Sequence, residues 1–284
     1  MATVAELLSQ RQQLLATSDS PALDIEILLC HCLQKQSSYL RAWPEAEVPE
    51  QTEQQFQALV QRRIAGEPVA YLIGERGFWS LDLQVNPSTL IPRPETELLV
   101  ELALAKISDK PSAKILDLGT GTGAIALSLA SERSDCEVKA CDVEEGAVAL
   151  AESNRKKYGL SNVEVFQSDW FAAVNGQQFD LIVSNPPYID PDDQHLQQGD
   201  VRFEPRSALV ADNKGLADIE TIIQQASAYL NDKAWLLFEH GYDQAASVQA
   251  LLIKAGFDQV FTEQDLAGVD RVTGACYTVK KGGA

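Results

Sequence analysis

A chain of 284 residues can hold one large domain or two unequal ones and bury a substantial core. Its 41 acidic against 23 basic residues leave a net charge of −18, which argues against a protein that grips a nucleic-acid backbone, because such proteins present a basic stripe to phosphate. No apolar run reaches the length of a membrane span, Met1-Ala2-Thr3-Val4-Ala5-Glu6 lacks the features of a signal peptide, and five scattered cysteines read as free thiols of a reducing, cytoplasmic compartment.

Residues 1–75 read as a helical module. Val4, Leu7, Leu8, Leu14 and Leu15 recur at helical spacing, and so do Phe56, Leu59, Val60 and Ile64, which Gly66 and Pro68 bring to a stop. Ser20-Pro21 is expected to cap the helix that carries Leu23, Ile25, Ile27, Leu28 and Leu29. Cys30-His31-Cys32 lies inside that pattern, where adjacent side chains face different ways, so no metal site is expected. Residues 76–90 read as bridging strands, from the partial alternation of Phe78–Val85 and the turn at Asn86-Pro87. Pro94 can open the next helix, with Glu95 and Glu97 in its first turn, and Arg93 is a candidate partner for a ligand carboxylate.

From residue 91 onward the pattern is α/β. Lys114–Leu118 reads as a buried strand, Gly119-Thr120-Gly121-Thr122-Gly123 as a ligand-approaching loop, and Ala124–Ala130 as the helix whose free N–H groups face that ligand. Gly119, Gly121 and Ala124 also satisfy the dinucleotide pattern, so a nicotinamide enzyme stays open here. The next strand ends at Asp142, a carboxylate able to accept from both hydroxyls of a ribose. Asn162–Gln167 ends at Ser168-Asp169-Trp170, an acid beside an indole, suited to the amine and face of an adenine. A fourth apolar strand, Phe179–Ser184, runs into Asn185-Pro186-Pro187-Tyr188. The Asn185 side-chain carbonyl and the Pro186 backbone carbonyl are two acceptors for one planar NH2 group, Pro187 stiffens the turn, and Tyr188 offers a flat wall. That NH2 belongs equally to a carboxamide or to a base amine. Residues 189–204 form a long polar stretch beside this turn. A helix near 215–230, the strand Ala234–Glu239, a helix over 243–255 and strands near 258–263 and 271–279 complete the sheet.

Taken together, the loop, Asp142, Asp169-Trp170 and Asn185 resemble the class I S-adenosylmethionine-dependent methyltransferases. Gly66–Gly74, Leu90–Glu97, Asn185–Ile189 and Phe203-Glu204-Pro205 narrow the resemblance to the protein-(glutamine-N5) methyltransferases of the HemK/PrmC type, over about residues 5–279. Arg206 and the tail Gly282-Gly283-Ala284 look like individual variation. The resemblance implies a Rossmann-like domain over 91–284, with a mostly parallel seven-stranded sheet, and a substrate-recognition role for residues 1–75. It implies a cytoplasmic enzyme that methylates the glutamine of the Gly-Gly-Gln loop in peptide chain release factors. Stable nucleic-acid binding, membrane association and a metal are not expected. Gly119, Thr120, Gly121, Thr122, Gly123, Asp142, Asp169, Trp170 and Asn185 would hold S-adenosylmethionine, which leaves as S-adenosylhomocysteine. Asn185, Pro186, Pro187 and Tyr188 would hold the glutamine, with Asn185, Pro186 and Tyr188 serving the transfer. Adenine-N6 methylation of nucleic acid is the alternative reading.

Overall fold

The computed structural model describes residues 1–279, so the Gly282-Gly283-Ala284 tail lies outside the described residues. The chain forms two compact units, Met1–Glu75 with Gln194–Phe203, and Arg76–Asp193 with Glu204 onward. No helix among the described residues is long and apolar enough to cross a membrane.

The first unit holds helices α1 (Val4–Ser9), α2 (Pro21–Leu33), α3 (Ser37–Ala42), α4 (Glu50–Ile64) and α5 (Val69–Ile73). Their apolar stripes meet in one cluster around Leu7, Leu14, Ile25, Leu28, Phe56 and Val60. A reciprocal cap starts α1: Glu6 N donates to Thr3 Oγ1 at 3.2 Å, and Thr3 N donates to the Glu6 carboxylate at 2.8 Å. At α2, Pro21 occupies the first turn, but Ser20 does not cap it. Its hydroxyl donates instead to Asp24 Oδ1 at 3.1 Å, and Ser18 Oγ donates to Asp24 Oδ2 at 2.7 Å. The reason is burial. Asp24 is a buried carboxylate, a stronger acceptor than a hydroxyl, and it gathers every donor in reach. Arg63 Nε completes the set at 2.7 Å, and Arg63 Nη1 reaches Asp200 Oδ1 at 3.0 Å, which ties segment 194–203 to the helices.

The second part opens on a hairpin, β1 (Glu75–Phe78) and β2 (Leu81–Gln84), followed by α6 (Glu97–Lys106). Then come β3 (Lys114–Leu118), α7 (Ala124–Glu132), β4 (Glu137–Asp142), α8 (Glu145–Tyr158), β5 (Val163–Gln167) and β6 (Phe179–Ser184). After a turn α9 (Asp212–Gly215), the chain closes with α10 (Ala217–Ala226), β7 (Leu230–Glu239), α11 (Ala245–Lys254), β8 (Asp258–Gln264) and β9 (Asp270–Tyr277). Seven strands form one sheet in the order β5-β4-β3-β6-β7-β9-β8, in which β9 runs against its neighbours and the pairs from β5 to β7 are parallel. Successive side chains alternate between two cores. Ile115, Val138, Leu181 and Val183 pack with α6 and α7, while Leu116, Leu118, Ile182 and Leu236 pack with α10 and α11. Both faces are covered, which is why these strands read as continuous apolar runs rather than alternating ones.

Among the described residues, Arg63 is the cation that pairs with Asp24. Arg63→Ala strands Asp24 as an uncompensated buried charge, so it is expected to cost about 3–5 kcal/mol in urea unfolding followed by circular dichroism. A loss below about 1 kcal/mol would assign the cluster no structural weight.

Candidate active site

Strands β3 and β6 lie side by side with Leu116 opposite Ile182 and Leu118 opposite Ser184. Ser184 Oγ donates to the Leu118 carbonyl at 2.8 Å and locks the ends of the two strands together. The chain steps from β3 through β4 to β5 on one side and from β6 to β7 on the other, so a crevice opens at this switch point. The next residues, Gly119 and Asn185, leave the sheet at that place.

The glycine loop turns through left-handed backbone at Gly119, Gly121 and Gly123, with φ of +72°, +56° and +85°, which disfavours any side chain there. Gly119 N and Thr120 N both donate to the Cys141 carbonyl at 2.9 Å, and Gly121 N donates to Asp142 Oδ2 at 2.9 Å. Asp142 Oδ1 accepts from Glu144 N at 3.0 Å, so the carboxylate is aimed by two backbone donors. Burial raises its pKa and those two N–H groups oppose the rise. Beneath the loop Asp117 is wholly buried. Its Oδ2 accepts from Thr120 Oγ1 at 2.6 Å and Ala126 N at 3.2 Å, while Oδ1 has no partner. Desolvation pushes its pKa up to about 7. Asn154 on α8 holds the loop from the other side, donating to the Thr122 and Gln84 carbonyls at 2.9 and 3.0 Å and accepting from Gln84 N at 2.8 Å. The β1–β2 hairpin is thereby fastened to the glycine loop.

At the end of β6, Asn185 Nδ2 lies 3.4 Å from Thr96 Oγ1. Pro186 is buried. Tyr188 turns its hydroxyl away to donate to Glu239 Oε1 at 3.2 Å, and burial next to that carboxyl raises its pKa. The Tyr188 carbonyl accepts from Gln244 Nε2 at 2.9 Å, and the same nitrogen donates to the Lys214 carbonyl at 3.0 Å. Gly215 passes so close that a Cβ there would stand 1.9 Å from the Tyr188 oxygen. The turn is therefore clamped on both sides.

One pocket of about 1230 Å³ of empty space, part of it open to solvent, collects most of the expected residues. Gly119, Thr120, Gly121, Thr122, Asp142, Asp169, Trp170, Asn185 and Pro187 line it, whereas Gly123, Pro186 and Tyr188 stand outside the lining. Trp170 adopts φ +44°, and its ring borders Gly119, where a Cβ would stand in ordinary contact, 3.6 Å from Cζ3. The pocket thus offers one flat aromatic, one aimed carboxylate, backbone approach along a glycine loop and an amide at its edge. Sequence reasoning missed Asp218 at the start of α10, whose pKa is raised by burial and by Asp169, and the wall from Ser88, Leu90 and Pro92. The motif at Leu90–Glu97 was the one signal for that wall. Arg93 is already engaged: its Nη2 donates to both oxygens of the Glu204 carboxylate at 2.8 Å.

Two protein families match the chain, the PrmC N-terminal domain over residues 6–74 and the methyltransferase small domain over residues 95–203. The release factor glutamine methyltransferase of Pseudomonas aeruginosa is 55% identical over 273 residues, 96% of this chain and 98% of that protein. The enzyme of the same name from Escherichia coli is 52% identical over 268 residues, 94% of this chain and 95% of that protein. Among solved structures, a methyltransferase from Pyrococcus furiosus aligns with 78% of this chain and 98% of its own at a TM-score of 0.54 and 19% identity, a likeness of fold. With more than half of the residues identical across almost the whole length, this chain belongs to the release factor glutamine methyltransferase family.

Proposed function

We propose that the protein transfers the methyl group of S-adenosylmethionine to the side-chain amide nitrogen of the glutamine in the Gly-Gly-Gln loop of peptide chain release factors. The nitrogen gains the methyl and gives up a proton to water, S-adenosylhomocysteine leaves as the thioether, no metal takes part, and the setting is the cytoplasm. The observation that carries this reading is Asn185 at the edge of the pocket that also holds the glycine loop and Asp142, in a chain of this family. When bound, S-adenosylmethionine supplies a methyl group activated by the positive charge on its sulfur. The pocket suits it: left-handed glycines let a bulky ligand meet backbone, the Asp142 carboxylate can take both ribose hydroxyls, and Trp170 with Asp169 can cover an adenine and accept from its amine.

The protein's own part is positioning. A glutamine amide nitrogen is a poor nucleophile because its lone pair is shared with the carbonyl. Asn185 Oδ1 and the Pro186 carbonyl accept its two N–H bonds and aim the nitrogen. Holding the reactants so oriented removes about 7–11 kcal/mol of the barrier. As the nitrogen gives up electron density its protons grow more acidic, so both acceptors bind the transition state more strongly than the ground state. Pro187 on the pocket wall confines the amide plane, Tyr188 holds the turn from outside the lining through its bond to Glu239, and residues 1–75 recognise the body of the release factor.

Asp142→Ala is expected to weaken S-adenosylhomocysteine binding by about 1–3 kcal/mol in calorimetry, the scale of lost charge-assisted hydrogen bonds. Tight binding of a nicotinamide dinucleotide in its place would contradict the assignment. Asn185→Ala is expected to slow single-turnover transfer by about two to three orders of magnitude with little change in cofactor affinity. A wild-type rate in the folded variant would reduce Asn185 to a structural turn residue. A chain lacking residues 1–75 should keep cofactor binding and lose methylation of the intact release factor. Normal methylation by a truncation that circular dichroism shows to be folded would remove the recognition role.

A further inference from the structure

Pro186 and Pro187 bring no N–H to the Asn-Pro-Pro-Tyr turn, so the turn cannot hold itself through its own middle. Its shape is imposed from its ends. Before it, Ser184 Oγ is fixed on the Leu118 carbonyl at 2.8 Å. After it, Ile189 N donates to the Leu209 carbonyl at 2.9 Å, and Ala211 N donates to the Ile189 carbonyl at 3.1 Å. The Tyr188 carbonyl, between these anchors, is held by the side chain of Gln244.

Gln244 is 8% exposed, and its whole amide is in use. Oε1 accepts from Gly241 N at 2.8 Å, while Nε2 donates to the Tyr188 and Lys214 carbonyls at 2.9 and 3.0 Å. A backbone N–H only donates and a carbonyl only accepts, so the amide has one orientation and no spare hydrogen. The backbone it grips on the far side is strained. Asn213, Lys214 and Gly215 are left-handed in succession, with φ of +56°, +56° and +78°. Residues with a Cβ rarely take that conformation in sequence, and it persists where the surroundings hold it, above all around functional sites. Here Gln244 holds the Lys214 carbonyl, and Asn213 Nδ2 donates to Glu220 Oε1 at 2.9 Å. The strained path brings Gly215 against the Tyr188 carbonyl, where a Cβ would stand 1.9 Å from the oxygen and 2.7 Å from Gln244 Nε2.

We propose that Gln244 is a positioning residue for methyl transfer: by holding the Tyr188 carbonyl against the left-handed turn at 213–215, it sets the direction of the Pro186 carbonyl, the second acceptor for the glutamine nitrogen. The inference rests on the function proposed above and adds to it the group that aims this acceptor. The link is short. The Pro187 ring fixes one of the few backbone angles between the two carbonyls, so a rotation at Tyr188 is passed on to Pro186 rather than absorbed. A misplacement of about 1 Å at a reacting group costs about 100-fold in rate.

The test measures single-turnover methylation of a release factor, with cofactor and release factor saturating. S-adenosylhomocysteine calorimetry and urea unfolding are run on the same preparations. Gln244→Met keeps the length of the side chain and removes its three hydrogen bonds. It should slow transfer in the folded protein by about 10–100-fold with cofactor affinity nearly unchanged, because Asp142 and the glycine loop stand apart from the clamp. Gln244→Glu keeps the acceptor for Gly241 N but turns an oxygen toward two carbonyls, and it should lose at least as much. Gly215→Ala presses on the same carbonyl from the other side and should show the same pattern, so it decides if the Gln244 variants do not fold. A merely structural Gln244 gives a different result, a lower urea midpoint with a wild-type transfer rate in the folded protein. That result would overturn the inference, as would transfer rate and cofactor affinity falling together in proportion. Failure of the wild-type protein to methylate a release factor glutamine would instead overturn the function itself.

Discussion

The parallel pairing of β3 with β6 is the constraint on which the site depends. With Leu118 opposite Ser184, and the Ser184 hydroxyl closing on the Leu118 carbonyl at 2.8 Å, the glycine loop and the Asn-Pro-Pro-Tyr turn must emerge at one point of the sheet edge. A slip of one residue would send Leu116 and Ile182 to the opposite core and part the two motifs. The register is held because both faces of these strands are packed, not because of any group in the pocket. Fold and chemistry are joined at this pair. The apolar residues that bury β3 and β6 also set the distance between the glycine loop and the Asn-Pro-Pro-Tyr turn.

A second feature runs through the pocket and the layer beneath it. Asp117, Asp142 and Glu239 are carboxyl groups whose pKa values burial pushes up, and each is steered by donors from its own surroundings. Asp142 is aimed by Gly121 and Glu144 N–H groups, Asp117 by Thr120 and Ala126, and Glu239 by Tyr188. Such groups cost folding free energy, and they persist where rigidity of the site repays it. The arrangement suits a reaction that requires positioning of acceptors more than proton transfer.

Strands β3 to β6 were legible because each is a short strand-forming segment that leads into a residue with distinct chemistry: Gly119, Asp142, Asp169 and Asn185. The direction of β9 was not legible, since a buried strand reads alike whichever way it runs. Ser20 has the residue type of a helix cap, but the buried Asp24 six residues after Ser18 competes for its hydroxyl, and only packing reveals that Asp24 is buried. Segment 194–203 joins the N-terminal helices through Arg63 and Asp200, 137 positions apart, a pairing without local pattern. Asp218 was hidden for the same reason, whereas the Ser88–Pro92 wall left one signal, the motif at Leu90–Glu97. The wall owes its place to the hairpin clip at Asn154 and Asp218 to the start of α10, and the Arg93–Glu204 ion pair was not legible because its partners lie 111 positions apart.

The central claim is that Asn185 and Pro186 present two acceptors to one amide nitrogen beside the cofactor loop. It is tested most directly by a crystal structure of the protein with S-adenosylhomocysteine and a glutamine peptide carrying the Gly-Gly-Gln sequence. The expected result places the glutamine side-chain nitrogen within about 3 Å of both Asn185 Oδ1 and the Pro186 carbonyl, on the side facing the cofactor sulfur. A glutamine amide bound away from Asn185, or one whose carbonyl oxygen rather than nitrogen faces Asn185 and Pro186, would contradict it.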